Sequence, residues 1–86
     1  MSALQEEVKK HIKILVHPLK EENDLRLALK AKLTKKEFKL LNEWAIQSDL
    51  DTLKQKLKLD DARYEELSGK LIKKLNQEKV KQAIYD

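Results

Sequence analysis

The chain has no cysteine, one glycine and one proline in 86 residues, and only 5% of its residues are aromatic. Without cysteine there is no disulfide and no thiolate metal site, which fits a reducing interior such as the cytoplasm. A single Gly69 and a single Pro18 leave few turn-forming residues, so helices joined by short loops are expected. No stretch approaches the roughly 20 apolar residues of a membrane span. The apolar run at 14–16 lies between Lys13 and His17 and does not resemble a signal peptide. The expectation is a cytoplasmic protein that does not enter the membrane. No glycine-rich phosphate loop, nucleophile elbow or Cys–His arrangement is present. His11 and His17 are the only histidines, and no third ligand is predictably near them. Neither a metal nor another cofactor is therefore expected. A thin domain also offers little room for a cleft that holds two carboxylates at separated pKa values, so an enzyme is not expected.

What the chain does have is charge: 40% of its residues are charged and the net charge is +4. Lysines cluster at Lys30, Lys32, Lys35, Lys36 and Lys39, then at Lys54, Lys56 and Lys58, and again at Lys70, Lys73, Lys74, Lys79 and Lys81. Arg26 and Arg63 are the only arginines. Arginine is the favoured bidentate reader of guanine, so a lysine-rich chain suits phosphate contact better than base reading. The plain alternative is that these lysines form a solvated helical surface. The length predicts one domain, residues 1–86, with a thin core of Leu, Ile and Val in which Trp44, Phe38 and Tyr64 are the large pieces.

Periodicity predicts an all-α protein, a small bundle of roughly four to five short helices. A first helix follows Ser2 as N-cap, with Leu4, Val8, Ile12 and Leu15 along one side, and Pro18 ends or kinks it. This basic amphipathic stretch suits a membrane surface in principle, but its apolar residues suit the core equally and the core is preferred. Residues 18–30 are assigned to a short helix. Leu25, Leu27 and Leu29 alternate as in a strand, but a lone strand would have no partner. Thr34 and Glu37 have the spacing of a capping box, and Leu33 and Phe38 that of a hydrophobic staple. Phe38, Leu41, Trp44 and Ala45, with Leu40 beside them, mark the buried face of the helix that follows. Ser48 is expected to cap the next helix, which carries Leu50, Leu53 and Leu57. Lys58 and Leu59 form a break, and Asp60 caps a helix whose inward positions are Tyr64, Leu67, Leu71 and Leu75, with Ile72 adding width. Gly69 in that helix implies either a close helix crossing or a tolerated loss of propensity. Val80, Ala83 and Ile84 give a last amphipathic turn or two. The chain thus divides into an N-terminal helical extension (1–33), a three-helix core (34–75) and a helical tail (77–86).

LTKKEFKLLNEW followed by SDLDTLKQKLKLDDARYEELSGKLIKKL resembles the helix-turn-helix of bacterial sigma factor region 4 and, more loosely, the LuxR-type DNA-binding domain. Leu33, Thr34 and Glu37 look like the family's opening. Leu50, Leu53 and Leu57 look like its buried second-helix positions, and Leu59 like the apolar residue of its turn. Asp60 stands for the usual Ser or Thr cap. Tyr64 and Leu67 resemble its buried pair in the recognition helix, which closes on the basic, leucine-ended 70–75. The resemblance covers about half of the chain and implies a regulatory module that places the helix after Asp60 in the DNA major groove. The sequence departs from the pattern at Lys54, where a small residue is usual, and at Lys58, where glycine is frequent. It departs again at Asp60, Asp61, Glu65 and Glu66, which put acid where phosphate would lie.

Two functions follow as expectations. The first is a DNA-binding regulatory module with nucleic-acid contacts from Arg63, Lys35, Lys36, Lys54, Lys56, Lys70, Lys73 and Lys74. The alternative is a small helical protein-interaction or adaptor domain that keeps the scaffold but does not bind DNA. Double-stranded DNA and a protein are the two candidate partners, and homo-oligomerisation stays open. In either case Glu66 and Lys70 have the favourable i,i+4 order of a helix surface pair.

Overall fold

The computed structural model describes residues 3–12 and 18–85, and its regular structure is helical throughout. Six helices occur among these residues, against the four to five expected: α1 Ala3–His11, α2 Glu22–Lys32, α3 Lys35–Ala45, α4 Leu50–Leu57, α5 Asp61–Leu75 and α6 Glu78–Ile84. The extra helix is α6. The expected amphipathic tail forms a helix of its own, with Val80 and Ile84 buried against the body. The Ser2 cap, Leu15, His17 and the apolar run at 14–16 lie outside the described residues.

Leucine spacing explains the packing. Leu25 and Leu29 are one turn apart on α2, Leu53 and Leu57 on α4, and Leu71 and Leu75 on α5, and all six are buried. Each helix thereby turns one stripe inward. Together with Leu4 and Val8 of α1, Ile12 just beyond it, Leu40 and Leu41 of α3, and Ile84 of α6, these side chains form one contiguous cluster. Helix α3 lies at its centre and touches α1, α2, α4 and α5, while α6 packs on α2 and α5. The segment that leads into α2 is tied to the end of α6 and to α1. Leu19 and Tyr85 form an isolated antiparallel bridge, the Lys20 amide donates to the Ile84 carbonyl at 3.0 Å, and Gln5 Nε2 donates to the Lys20 carbonyl at 2.8 Å.

Several expectations need correction. Helix α2 starts at Glu22 rather than near Pro18, because the preceding residues are drawn out by the bridge to Tyr85. Asp49, not Ser48, is the N-cap residue of α4, and it makes no side-chain cap bond. Ser48 turns back instead: its hydroxyl donates to Glu43 Oε1 at 3.3 Å. Leu50 is 49% exposed, since the buried stripe of α4 begins at Leu53. Phe38, Trp44 and Tyr64 are only half-buried; Leu40 and Leu41 occupy the centre of α3's inner face instead. No helix crosses at Gly69, where an added Cβ would meet nothing within 4 Å. No helix among the described residues is long and apolar enough to cross a membrane.

Candidate functional site

The segment that resembles a helix-turn-helix is built on local chemistry. Thr34 and Glu37 form the reciprocal capping box: Glu37 Oε1 accepts from the Thr34 amide at 2.8 Å, and Thr34 Oγ1 accepts from the Glu37 amide at 3.3 Å. Helix α4 ends at Lys58, which is left-handed (φ 55, ψ 49), and the Leu59 amide donates to the Lys54 carbonyl at 2.8 Å. A side chain at positive φ is unfavourable, so a lysine here holds the turn at a cost that glycine would avoid. Asp60 then accepts from the Arg63 amide at 2.8 Å and starts α5. Leu71 and Leu75 are buried, Tyr64 and Leu67 are half-buried, and Arg63 faces solvent.

Half of the eight expected nucleic-acid contacts are engaged by carboxylates of the same chain. Lys74 Nζ lies 2.8 Å from Glu37 Oε1, and the Glu37 side chain is only 3% exposed. Burial pushes the Glu37 carboxyl up, but the Lys74 ammonium and the Thr34 capping bonds outweigh it and hold its pKa below the ordinary value. Lys56 pairs with Glu43 at 2.9 Å, and Lys70 pairs with Glu66 at 3.1 Å. Lys54 reaches across the Tyr64 ring to Asp61, its ammonium 5.8 Å from the ring centroid. The bond to Lys54 lowers the Asp61 pKa, and the same bond raises that of Lys54. This is how a lysine fits where a small residue was expected: the half-buried side chain carries its ammonium over the Tyr64 ring to the exposed Asp61 carboxylate.

The remaining four fall in three places. Lys36 and Arg63 line one cleft of about 130 Å³ with Leu59, Leu67 and the Glu66–Lys70 pair, so the structure brings Lys36, Arg63 and Lys70 together. Lys73 is exposed further along α5, and Lys35 faces the other way, toward α2. The exposed charges of α5 are Asp61, Arg63, Glu65, Glu66, Lys70 and Lys73, three carboxylates against three cations. Such a face is electrically balanced and gives little attraction for a phosphate backbone.

The unbalanced charge sits at the α2–α3 corner. Lys30, Lys32, Lys35, Lys36 and Lys39 are all exposed there, and none has a carboxylate partner among the described residues. Between α2 and α3 runs an apolar groove in two lobes that share Lys30 and Phe38. One lobe, about 340 Å³, is walled by Leu27 and Arg26; the other, about 360 Å³, by Leu33, Lys35 and Lys39. The Lys30 ammonium stands 6.0 Å over the Phe38 ring, where the lobes meet. Leu27 is 67% exposed because Leu25 and Leu29 take the inward stripe of α2 and Leu27 falls between them, on the outer side. The expected sites do not include this groove as a whole. Its signal was present in the sequence as one leucine off the helical stripe next to the densest lysine cluster.

On another face, Glu7 and His11 of α1 meet Trp44 and Tyr64. His11 Nε2 and Glu7 Oε2 are 2.6 Å apart, the His11 and Trp44 ring centroids are 4.8 Å apart, and Trp44 Nε1 donates to the Tyr64 hydroxyl at 3.1 Å. Asn76 Nδ2 donates to the His11 carbonyl at 2.8 Å, so the same cluster fastens the end of α1 to the end of α5. This arrangement supplies polar anchoring for a seam between helices. Among the described residues no group of three or more His, Asp or Glu side chains is placed to hold a metal ion.

Comparison of the chain with protein-family models, with curated proteins and with solved structures finds no match.

Proposed function

We propose that this protein is a small helical protein-interaction module, in which α3, α4 and α5 form the scaffold and the α2–α3 groove is the docking face. One observation carries this reading: exposed Leu27 and half-buried Phe38 coincide at the α2–α3 corner with lysines that have no carboxylate partner among the described residues, whereas the charges of α5 cancel. Apolar contact gives a docking face its binding energy, and the surrounding charge selects and steers the partner. The cysteine-free composition suits a cytoplasmic setting. The test is crosslinking in cells from a photoreactive residue at position 27 or position 62, the latter on the outer side of α5. Protein adducts at 27 and none at 62 are expected. DNA adducts at 62 with no protein adduct at 27 would refute the reading.

A second reading, DNA binding by the helix-turn-helix, is favoured by the convergence of Lys36, Arg63 and Lys70 on one cleft. It predicts that duplex DNA shifts the amide resonances of Arg63 and Lys73. It also predicts that log affinity falls with log salt by about 0.9 per phosphate contacted.

A further inference from the structure

We infer that the α2–α3 groove takes an acidic amphipathic helix of a partner protein, its apolar side chains in the two lobes and its carboxylates against Lys30, Lys35 and Lys39. This deepens the interaction-module reading and rests on it.

The shape comes first. Leu27, Leu33 and Phe38 are the apolar residues of a lining completed by Asn23, Thr34 and the basic side chains, and two lobes of about 340 and 360 Å³ lie on either side of the Lys30–Phe38 contact. A furrow between two helices, mostly apolar in surface and interrupted once, is suited to successive apolar side chains on one face of a third helix. The described residues contain no strand with a free edge, so strand addition has no template here. Leu27 contributes nothing to the fold that a polar residue could not, being two-thirds exposed on the outer side of α2. Its apolar surface gains only when something covers it.

Charge then selects the occupant. Arg26 is already held, 3.7 Å from Glu22 and 3.0 Å from Asn42. Among the described residues, Lys35 and Lys39 on the opposite wall have no such partner, and Lys30 has only the face of Phe38. An acidic segment would complete three ion pairs around a desolvated apolar strip. A second copy of this chain docking by the same face would set lysines against lysines in a molecule that already carries +4. Duplex DNA would meet the cations but leave Leu27, Leu33 and Phe38 without an apolar counterpart. An anionic bilayer would meet the cations, but it offers no row of side chains one helical turn apart to fill two separate lobes.

The test is selection from a display library of helix-forming peptides with randomised faces, run against the full chain and against Leu27→Asp. Leu27 is exposed, so this substitution leaves the core intact. Enrichment of peptides with apolar residues one turn apart flanked by Glu or Asp is expected. Leu27→Asp and the double substitution Lys35→Glu/Lys39→Glu should each weaken the selected peptides at least tenfold, with amide shifts confined to α2 and α3. No enrichment, enrichment of basic peptides, or indifference to both variants would overturn the inference. Binding of anionic phospholipid vesicles or self-association that Leu27→Asp abolishes would overturn it too, in favour of those occupants. If acidic helices fail while the crosslinker at position 27 still captures a protein, the inference falls and the interaction-module reading stands. If both fail, both fall.

Discussion

Replacing Lys74 with Met removes one charge and keeps most of the aliphatic stem, which isolates what the ammonium does for Glu37. The pair is 2.8 Å apart, with side chains 32% exposed for Lys74 and 3% for Glu37. At an effective dielectric near 20 the gross attraction at that distance is about 6 kcal/mol, most of which is offset by desolvating the two groups. Removing one partner of a fully buried pair destabilises by roughly 3–5 kcal/mol. Here Lys74 is one-third exposed and the Thr34 amide still donates to the carboxylate, so the expected loss is about 2 kcal/mol. For a domain of this size that lowers Tm by about 8–16 °C. The sign with pH follows from the lowered Glu37 pKa. Its contribution is complete above the ordinary glutamate range and is lost as pH falls through the folded-state value. In Lys74→Met the buried carboxylate loses its main stabiliser, so the gap to wild type is widest near neutrality and closes in acid. Urea unfolding of both proteins from about pH 7 down to about pH 3 measures this gap. A gap of the same size throughout would show that the stem, not the charge, matters. A gap under about 0.5 kcal/mol at neutral pH, the size of an ordinary surface pair, would refute the electrostatic account.

Gly69→Ala should stabilise by about 0.5–1 kcal/mol in thermal or urea unfolding, since the added methyl meets nothing and helix propensity improves; a loss would mean that the site is crowded. Thr34→Ala removes one half of the capping box and should lower stability by about 1 kcal/mol, with amide exchange rising first in the opening turn of α3. Lys58→Gly relieves a left-handed lysine whose side chain is exposed and should raise stability by about 1 kcal/mol; unchanged unfolding would contradict the strain argument. Leu27→Asp should leave the urea midpoint within about 0.5 kcal/mol of wild type, because the side chain is already in solvent.

Much of the fold was legible because it is local. The Thr34–Glu37 box, the break at Lys58 and Leu59, the Asp60 cap and the inward stripe ending at Leu71 and Leu75 are all set by residues within four positions of one another. The Glu66–Lys70 pair is of the same kind, and the structure forms it. The start of α2 was not legible, since it depends on a bridge to Tyr85 at the other end of the chain. Nor was the exposure of Leu50, which depends on where α4 leans against α3.

The candidate site divides along the same line. Sequence alone determined that this chain is helical, basic and rich in lysine, and that Thr34 and Asp60 cap α3 and α5, because propensity, capping and hydrophobic period act over a few residues. Tertiary structure decided which lysines remain available. Lys74 is claimed by Glu37 from 37 residues away and Lys56 by Glu43 on another helix, while the cluster from Lys30 to Lys39 meets no carboxylate among the described residues and lies beside an apolar furrow. Ion pairing depends on distance in space, and no periodicity in the chain encodes which helix will bring a carboxylate within 4 Å of a given ammonium.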